Sequence, residues 1–185
     1  MYLGIDASTK GCAACLIDEA AQIQRLATFR PPDKLDRIQR LVWIRNQVQA
    51  FYNLASVAFI EHYAFARVNQ AHYLGELGGL LRVSMYGFLP FYEVNPQSMK
   101  KYICGKGNVK KNIVLEQCFR RYSIGSEVLK DDNQVDAYCL AMMGRHFIGW
   151  KYHEGGCTKV EEAVFKKIPE PLGRLPMRLA SSPVQ

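Results

Sequence analysis

MYLGIDASTKGCAACLIDEAAQIQRLATF, Met1 to Phe29, decides the fold. Residues 2–7, 11–18 and 22–29 are short β-forming runs separated by the turn-length gaps STKG and DEAA, the pattern of an antiparallel meander. Cys12 and Cys15 stand three apart on the second run, where side chains three apart point to opposite faces of a strand. That pair therefore reads as core, not as a shared metal site. All six cysteines are scattered through apolar segments and are expected to be reduced.

Beyond the meander the period changes. After RPPD, residues 34–54 place Leu35, Ile38, Leu41, Val42, Val48 and Phe51 at helical spacing, an amphipathic packing helix. SVAFIEH is a short buried strand that ends in an acid, residues 69–88 form a second helix with small residues at Gly75, Gly78 and Gly79, and LPFYEVNP is a fifth strand. A basic helix over 109–122 and an apolar one over about 132–149 complete the order βββαβαβαα, which predicts an α/β fold with helices packed on a central sheet. The chain of 185 residues suits one domain with a full core, expected over 1–150. Residues 151–185 hold four of the eight prolines and no sustained periodicity, so they are expected to be a tail, partly ordered at best.

No apolar run approaches the ~18 residues that span a bilayer, and the first residues lack a signal-peptide layout. The expected location is the cytoplasm. The net charge of +7 favours a polyanionic partner. Its distribution is more telling: between Asn95 and Ser123, Lys100, Lys101, Lys106, Lys110, Lys111, Arg120 and Arg121 are accompanied by Glu116 as the only acid. A solvated helix face mixes both signs.

Three core elements each carry one acid at an awkward place. Asp6 interrupts the first strand, Glu61 ends the fourth, and Asp136 sits in the last, apolar helix, past the positions where Asp131, Asp132 or Asn133 can cap it. Carboxylates held together repel unless cations compensate them. A set of oxygen ligands without a His or Cys pattern favours Mg²⁺ or Mn²⁺. At about 100° per residue, Asp132 lies about 40° from Asp136 around the helix axis and Asp131 about 140° away, so Asp132 is the expected fourth acid. Two such ions suit hydrolysis of a phosphodiester, and the lysines would hold its backbone without sequence preference.

LGIDAST, FIEHYAF, LGELGGLLR, VNPQSMKKYICGKGNVKKNIV and DDNQVDAYCLA, taken in order, resemble the RuvC-type Holliday-junction resolvases, the phage-type members especially, over roughly residues 1–148. The resemblance implies a ribonuclease H-like fold with a five-stranded mixed sheet flanked by helices, and a homodimer acting on branched DNA. It also implies two-metal cleavage of paired strands that leaves 5′-phosphate and 3′-hydroxyl ends. It makes Asp6, Glu61 and Asp136 catalytic acids and metal ligands. Lys100 and Lys111 fall near the scissile phosphate, and Tyr63 or Phe65 is the aromatic that stacks on a junction base. Arg67 reads as a phosphate contact, beside Lys101, Lys106 and Lys110 of the basic segment. The chain departs from the bacterial pattern in one respect: where the last two acids stand three apart, this sequence has Asn133. Either Asp132 serves, or the metal shell is altered and Asn133 offers a neutral oxygen.

Other functions stay in view. A debranching nuclease with loose junction selectivity shares the same chemistry, and a non-catalytic junction binder would need none of the acids. The turn GIDAST also occurs in actin-like and sugar-kinase ATPases, but their fold needs two domains and a second phosphate loop, for which this chain is short.

Overall fold

The computed structural model describes residues 1–8, 10–62 and 68–173, the last span by backbone alone at 68–71. Strands β1 (Tyr2–Ser8), β2 (Gly11–Ile17) and β3 (Ile23–Phe29) form the expected meander. Helix α1 (Arg37–Tyr52) leads to β4 (Val57–Glu61), and α2 (Val68–Tyr86) leads to β5 (Phe91–Val94). Helices α3 (Pro96–Cys104), α4 (Lys111–Tyr122), α5 (Asp132–Tyr152) and α6 (Lys159–Phe165) follow. The sheet order is β3-β2-β1-β4-β5, antiparallel within the meander and parallel from β1 through β4 to β5. No helix is long and apolar enough to cross a membrane among the described residues.

Strand alternation divides the core into two layers. Leu3, Ile5, Cys12, Ala14, Leu16, Ala58 and Ile60 face α1 and α2. Tyr2, Ala13, Cys15, Ile17, Val57 and Phe59 face α5 and the helices around it. Cys12 and Cys15 thus lie on opposite faces, as their spacing requires. The even-numbered face of β1 and the odd-numbered face of β4 meet α5, and it is on this face that Asp6 and Glu61 fall.

Helix α5 lies directly on β1. A Cβ at Gly4 would stand 2.0 Å from the Ala137 carbonyl oxygen and 2.6 Å from the Ala141 nitrogen, so only a glycine lets the two backbones meet. Gly144 makes the same accommodation for the Phe59 ring, 2.1 Å from where its Cβ would be. The result is a central helix buried without interruption from Val135 to Gly144.

The elements differ from expectation in three places. Helix α1 buries Leu41, Ile44, Val48, Phe51 and Tyr52, while Ile38 is 62% exposed and Val42 is also exposed. The buried stripe begins one turn later than the apolar spacing suggested. Helix α3 was not anticipated: Asn95 caps it by accepting from the Gln97 N–H, Pro96 occupies its first turn, and Gly105 ends it in the left-handed conformation.

The third difference lies at the expected domain boundary. Helix α5 runs on past residue 150 to Tyr152, and α6 buries Val164 and Phe165 in the main core. Phe165 packs against Phe147, Trp150 and Tyr102. The Thr158 hydroxyl and the Glu161 carboxylate form a capping box, and Arg121 binds Glu161 at 2.7 Å. Leu172 then pairs with Phe91 and covers the outer edge of β5. Residues 151–173 therefore continue the core, and the remainder of the expected tail lies outside the described residues.

Candidate metal centre and nucleic-acid interface

Parallel pairing sets Ile5 opposite Ile60, so the next residues on each strand, Asp6 and Glu61, are neighbours on the face that meets α5. Asp136 lies in the second turn of that helix. One carboxylate oxygen from each of the three comes within 4.8 Å of the other two. Asp6 is 6% exposed and Asp136 9%. The three acids, separated by up to 130 positions in the chain, thus share one cavity of about 260 Å³, also lined by Ser8, Lys100, Lys111 and Asn133.

The acids are poorly compensated. Burial, then the charges of Glu61 and Asp136, push Asp6 well above the usual carboxylate range. Burial and the Asp136 charge push Glu61 up to about 7. Burial also raises Asp136, against the pull of Lys111 and Lys100. The Lys111 Nζ stands 3.7 Å from Asp136 and 3.5 Å from Asp132. Burial opposes its charge, but Asp136, Asp132 and Asp6 outweigh that and hold it above an ordinary lysine. Lys110 and Lys111 open α4, where no side chain caps the helix and no acid occupies the first turn. A positive charge there opposes the helix dipole, and its compensation comes from the acids of α5.

A divalent cation fits this site. Three oxygen donors of hard character converge, and the mutual repulsion that raises Asp6 and Glu61 is what a cation between them would relieve.

Asp132 is not part of the cluster. Its side chain is 66% exposed and meets Lys111 from outside, whereas Asn133 lines the cavity and donates from Nδ2 to the Ser8 hydroxyl at 3.1 Å. The helical wheel allowed either neighbour to share a face with Asp136. The docking of α5 on Gly4 turns the Asn133 side toward β1. Further bonds fix that end of the helix: Asp131 caps α5 by accepting from the Gln134 N–H and also accepts from Thr28 at 3.0 Å and Arg30 at 3.3 Å.

A supporting residue without a role assigned from sequence is Arg82 of α2, the last letter of LGELGGLLR. Its guanidinium pairs with Glu93 and donates to the Glu61 backbone carbonyl at 3.0 Å, which fixes the end of β4. Its signal was an arginine closing an otherwise apolar, glycine-rich helix run.

The basic segment divides by role. Lys100 faces the acid cavity, Lys106 and Lys110 are exposed, and Lys101 lies on another side of α3. Arg121 is structural: besides Glu161 it binds the Tyr102 carbonyl at 2.6 Å and lies over the Tyr102 and Tyr122 rings. Tyr63, Phe65 and Arg67 lie outside the described residues.

A five-stranded mixed sheet in this order, flanked by helices and carrying one acid within β1 and another at the end of β4, is a ribonuclease H-like architecture. The comparisons are more specific. No protein-family model matches the chain. The crossover junction endodeoxyribonuclease RuvC of Endomicrobium trichonymphae is 25% identical over 140 residues, covering 72% of this chain and 73% of that protein. The Thermus thermophilus RuvC structure superposes with a TM-score of 0.66 at 17% identity, over 92% of this chain and 99% of that one. The T. thermophilus RuvC in complex with a Holliday junction substrate gives a TM-score of 0.68 at 16% identity, over 92% and 98%. The resemblance to RuvC-type resolvases that the motifs carry is thus matched by a sequence similarity over 72% of the chain and by the fold.

Proposed function

We infer that this protein is a metal-dependent endonuclease of the RuvC type that resolves Holliday junctions by paired phosphodiester hydrolysis. The observation that carries the reading is the convergence of Asp6, Glu61 and Asp136 within 4.8 Å on a RuvC-like fold. Asp6, Glu61 and Asp136 would hold the metal, with Asn133 beside them in the place expected of Asp132. Bound Mg²⁺, two ions in this reading and replaceable by Mn²⁺, supplies positive charge to a phosphodiester whose negative charge grows on the way to the transition state.

The protein's own groups do the rest. The strand ends fix Asp6 and Glu61 on rigid backbone, and α5 brings Asp136 to them, so the donors are preorganised. Lys111 and Lys100 flank the cavity and would bind the oxygens of the phosphate to be cut. Lys101, Lys106 and Lys110 would hold the backbone on either side. Tyr63 and Phe65 are proposed to stack on a junction base and Arg67 to contact a phosphate. Cleavage would leave 5′-phosphate and 3′-hydroxyl ends.

Two coordinated cuts need two such sites, so the active form is proposed to be a homodimer. At the end of α2, Val83 and Tyr86 are 76% and 65% exposed, and nearby Phe88 is 69% exposed, apolar surface that a second copy would cover.

The test is cleavage of four-way, three-way, flap and linear DNA with Mg²⁺, Mn²⁺ or chelator. The four-way junction is expected to be cut far faster than linear duplex, only with metal, and not by Asp136→Asn. Equal cutting of branched and linear DNA would overturn the resolvase reading, and cutting in chelator would overturn the metal.

A further inference from the structure

A second cavity, of about 570 Å³, opens between α3 and α6. Asn95, Ser98 and Lys101 line it from α3 and its cap, Asn108 from the loop before α4, and Val164 and Lys167 from α6 and the turn that follows. No acid is among its lining residues. Neither Lys101 nor Lys167 has an ion-pair partner among the described residues. With no acid in the lining, the half-buried Lys101 and the exposed Lys167, both facing one polar groove, leave positive charge there without a countercharge.

The groove is also placed with respect to the acids. Lys100 and Lys101 are consecutive on α3 and so point about 100° apart. Lys100 lines the acid cavity and Lys101 lines the groove. Pro96 and Gln97 divide in the same way. Helix α3 is thus a ridge between the two, and a chain of phosphates lying on the acids would have to cross it to reach the groove.

The groove is built in advance. Arg121 and the buried Glu161 fasten α6 to α4, and the Tyr102 hydroxyl meets His146 Nδ1 at 3.1 Å on the same seam. Gly107 brings the loop against α3: a Cβ there would lie 3.1 Å from the Gln97 carbonyl oxygen. Polar side chains, two free ammonium groups and an apolar floor match a phosphodiester backbone with its sugars.

We propose that the groove between α3 and α6 is a second binding site for the DNA backbone, and that it receives the strand that leaves the acid cavity across α3. The proposal rests on the nuclease reading above for its choice of polyanion. It gives residues beyond position 150 a part in holding the substrate.

The experiment is equilibrium binding of a fluorescent four-way junction to the full chain in chelator, by anisotropy across a salt series. Lys167→Ala and Lys101→Ala are each expected to weaken binding roughly five-fold and to reduce the salt slope by about 1. Lys166→Ala is the matched control: it removes the same charge one position away, from a side chain that faces away from the groove and pairs with Glu162 at 2.6 Å. Its affinity is expected to match the unsubstituted chain. Unchanged binding by Lys167→Ala overturns the groove, as does an equal loss in Lys166→Ala, which would mark a nonspecific effect of net charge. Unchanged DNA binding also covers the case of a groove made for another anionic partner. Cleavage by the unsubstituted chain is scored separately: a chain that binds through Lys167 but cuts no junction upholds the groove and overturns the nuclease reading.

Discussion

In the metal-free protein, raising the pH from 5 to 8 should lower stability, and a divalent cation should restore it. Glu61 is held at about 7 against an ordinary 4.5, first by burial and then by Asp136, and Asp6 is raised in the same direction. The folded state therefore keeps a proton that the unfolded chain releases, so its stabilisation is complete below about pH 4.5 and is lost as pH rises through 7. A difference of about 2.5 units at 1.36 kcal/mol each is roughly 3 kcal/mol, with the two acids titrating as a pair. For a chain of this length that is about 6–12 °C in melting temperature. Mg²⁺ at a hundred times its dissociation constant should return about 2.7 kcal/mol at pH 8. Thermal unfolding at pH 5 and pH 8, with chelator or Mg²⁺, measures both effects, and Glu61→Gln should flatten the metal-free profile. Equal stability at the two pH values, or no response to Mg²⁺ at pH 8, would refute an acid cluster strained by its own charge.

Other substitutions probe the neighbouring parts. Asp136→Asn should reduce junction cleavage by more than the roughly 10–100-fold typical of a supporting partner, whereas Asp132→Asn should keep most of it; equal losses would restore Asp132 to the site. Arg82→Ala should weaken Mg²⁺ binding roughly 10–100-fold by freeing the end of β4, read by the Mg²⁺ dependence of cleavage; an unaltered metal requirement would deny it a positioning role. Gly4→Ala forces a methyl group against backbone atoms and should cost at least about 1–3 kcal/mol, seen in denaturant unfolding; a neutral result would mean that α5 does not rest on β1 as described.

The sheet was legible because its signals are local. Alternation in Met1–Phe29 specifies the meander, and the acids at strand ends stand out against apolar neighbours. The faces of helices were less legible. Ile38 and Val42 share the spacing of Leu41, but α1 rests on its partners through Leu41, Ile44, Val48 and Phe51. Helix α3 announced itself only by the Asn95-Pro96 start and Gly105 stop, which resemble the end of a strand as much as a helix. Thr158 and Glu161 carried the capping-box spacing of α6 inside a stretch dominated by proline and glycine.

The choice between Asp132 and Asn133 was beyond local reasoning altogether. The first lies about 40° to one side of Asp136 and the second about 60° to the other. Which side meets β1 depends on the rotation of α5, and that is settled by a long-range contact with Gly4.

Because main chain rests on main chain at Gly4, the gap between Asp6 and Asp136 is gauged by parts of the polypeptide that substitutions elsewhere leave alone. Apolar side chains further along α5 and on β2 can be exchanged over generations, at some expense in stability, without resetting the spread of the carboxylates. The tolerance of the reaction centre is thereby uncoupled from the drift of the interior around it.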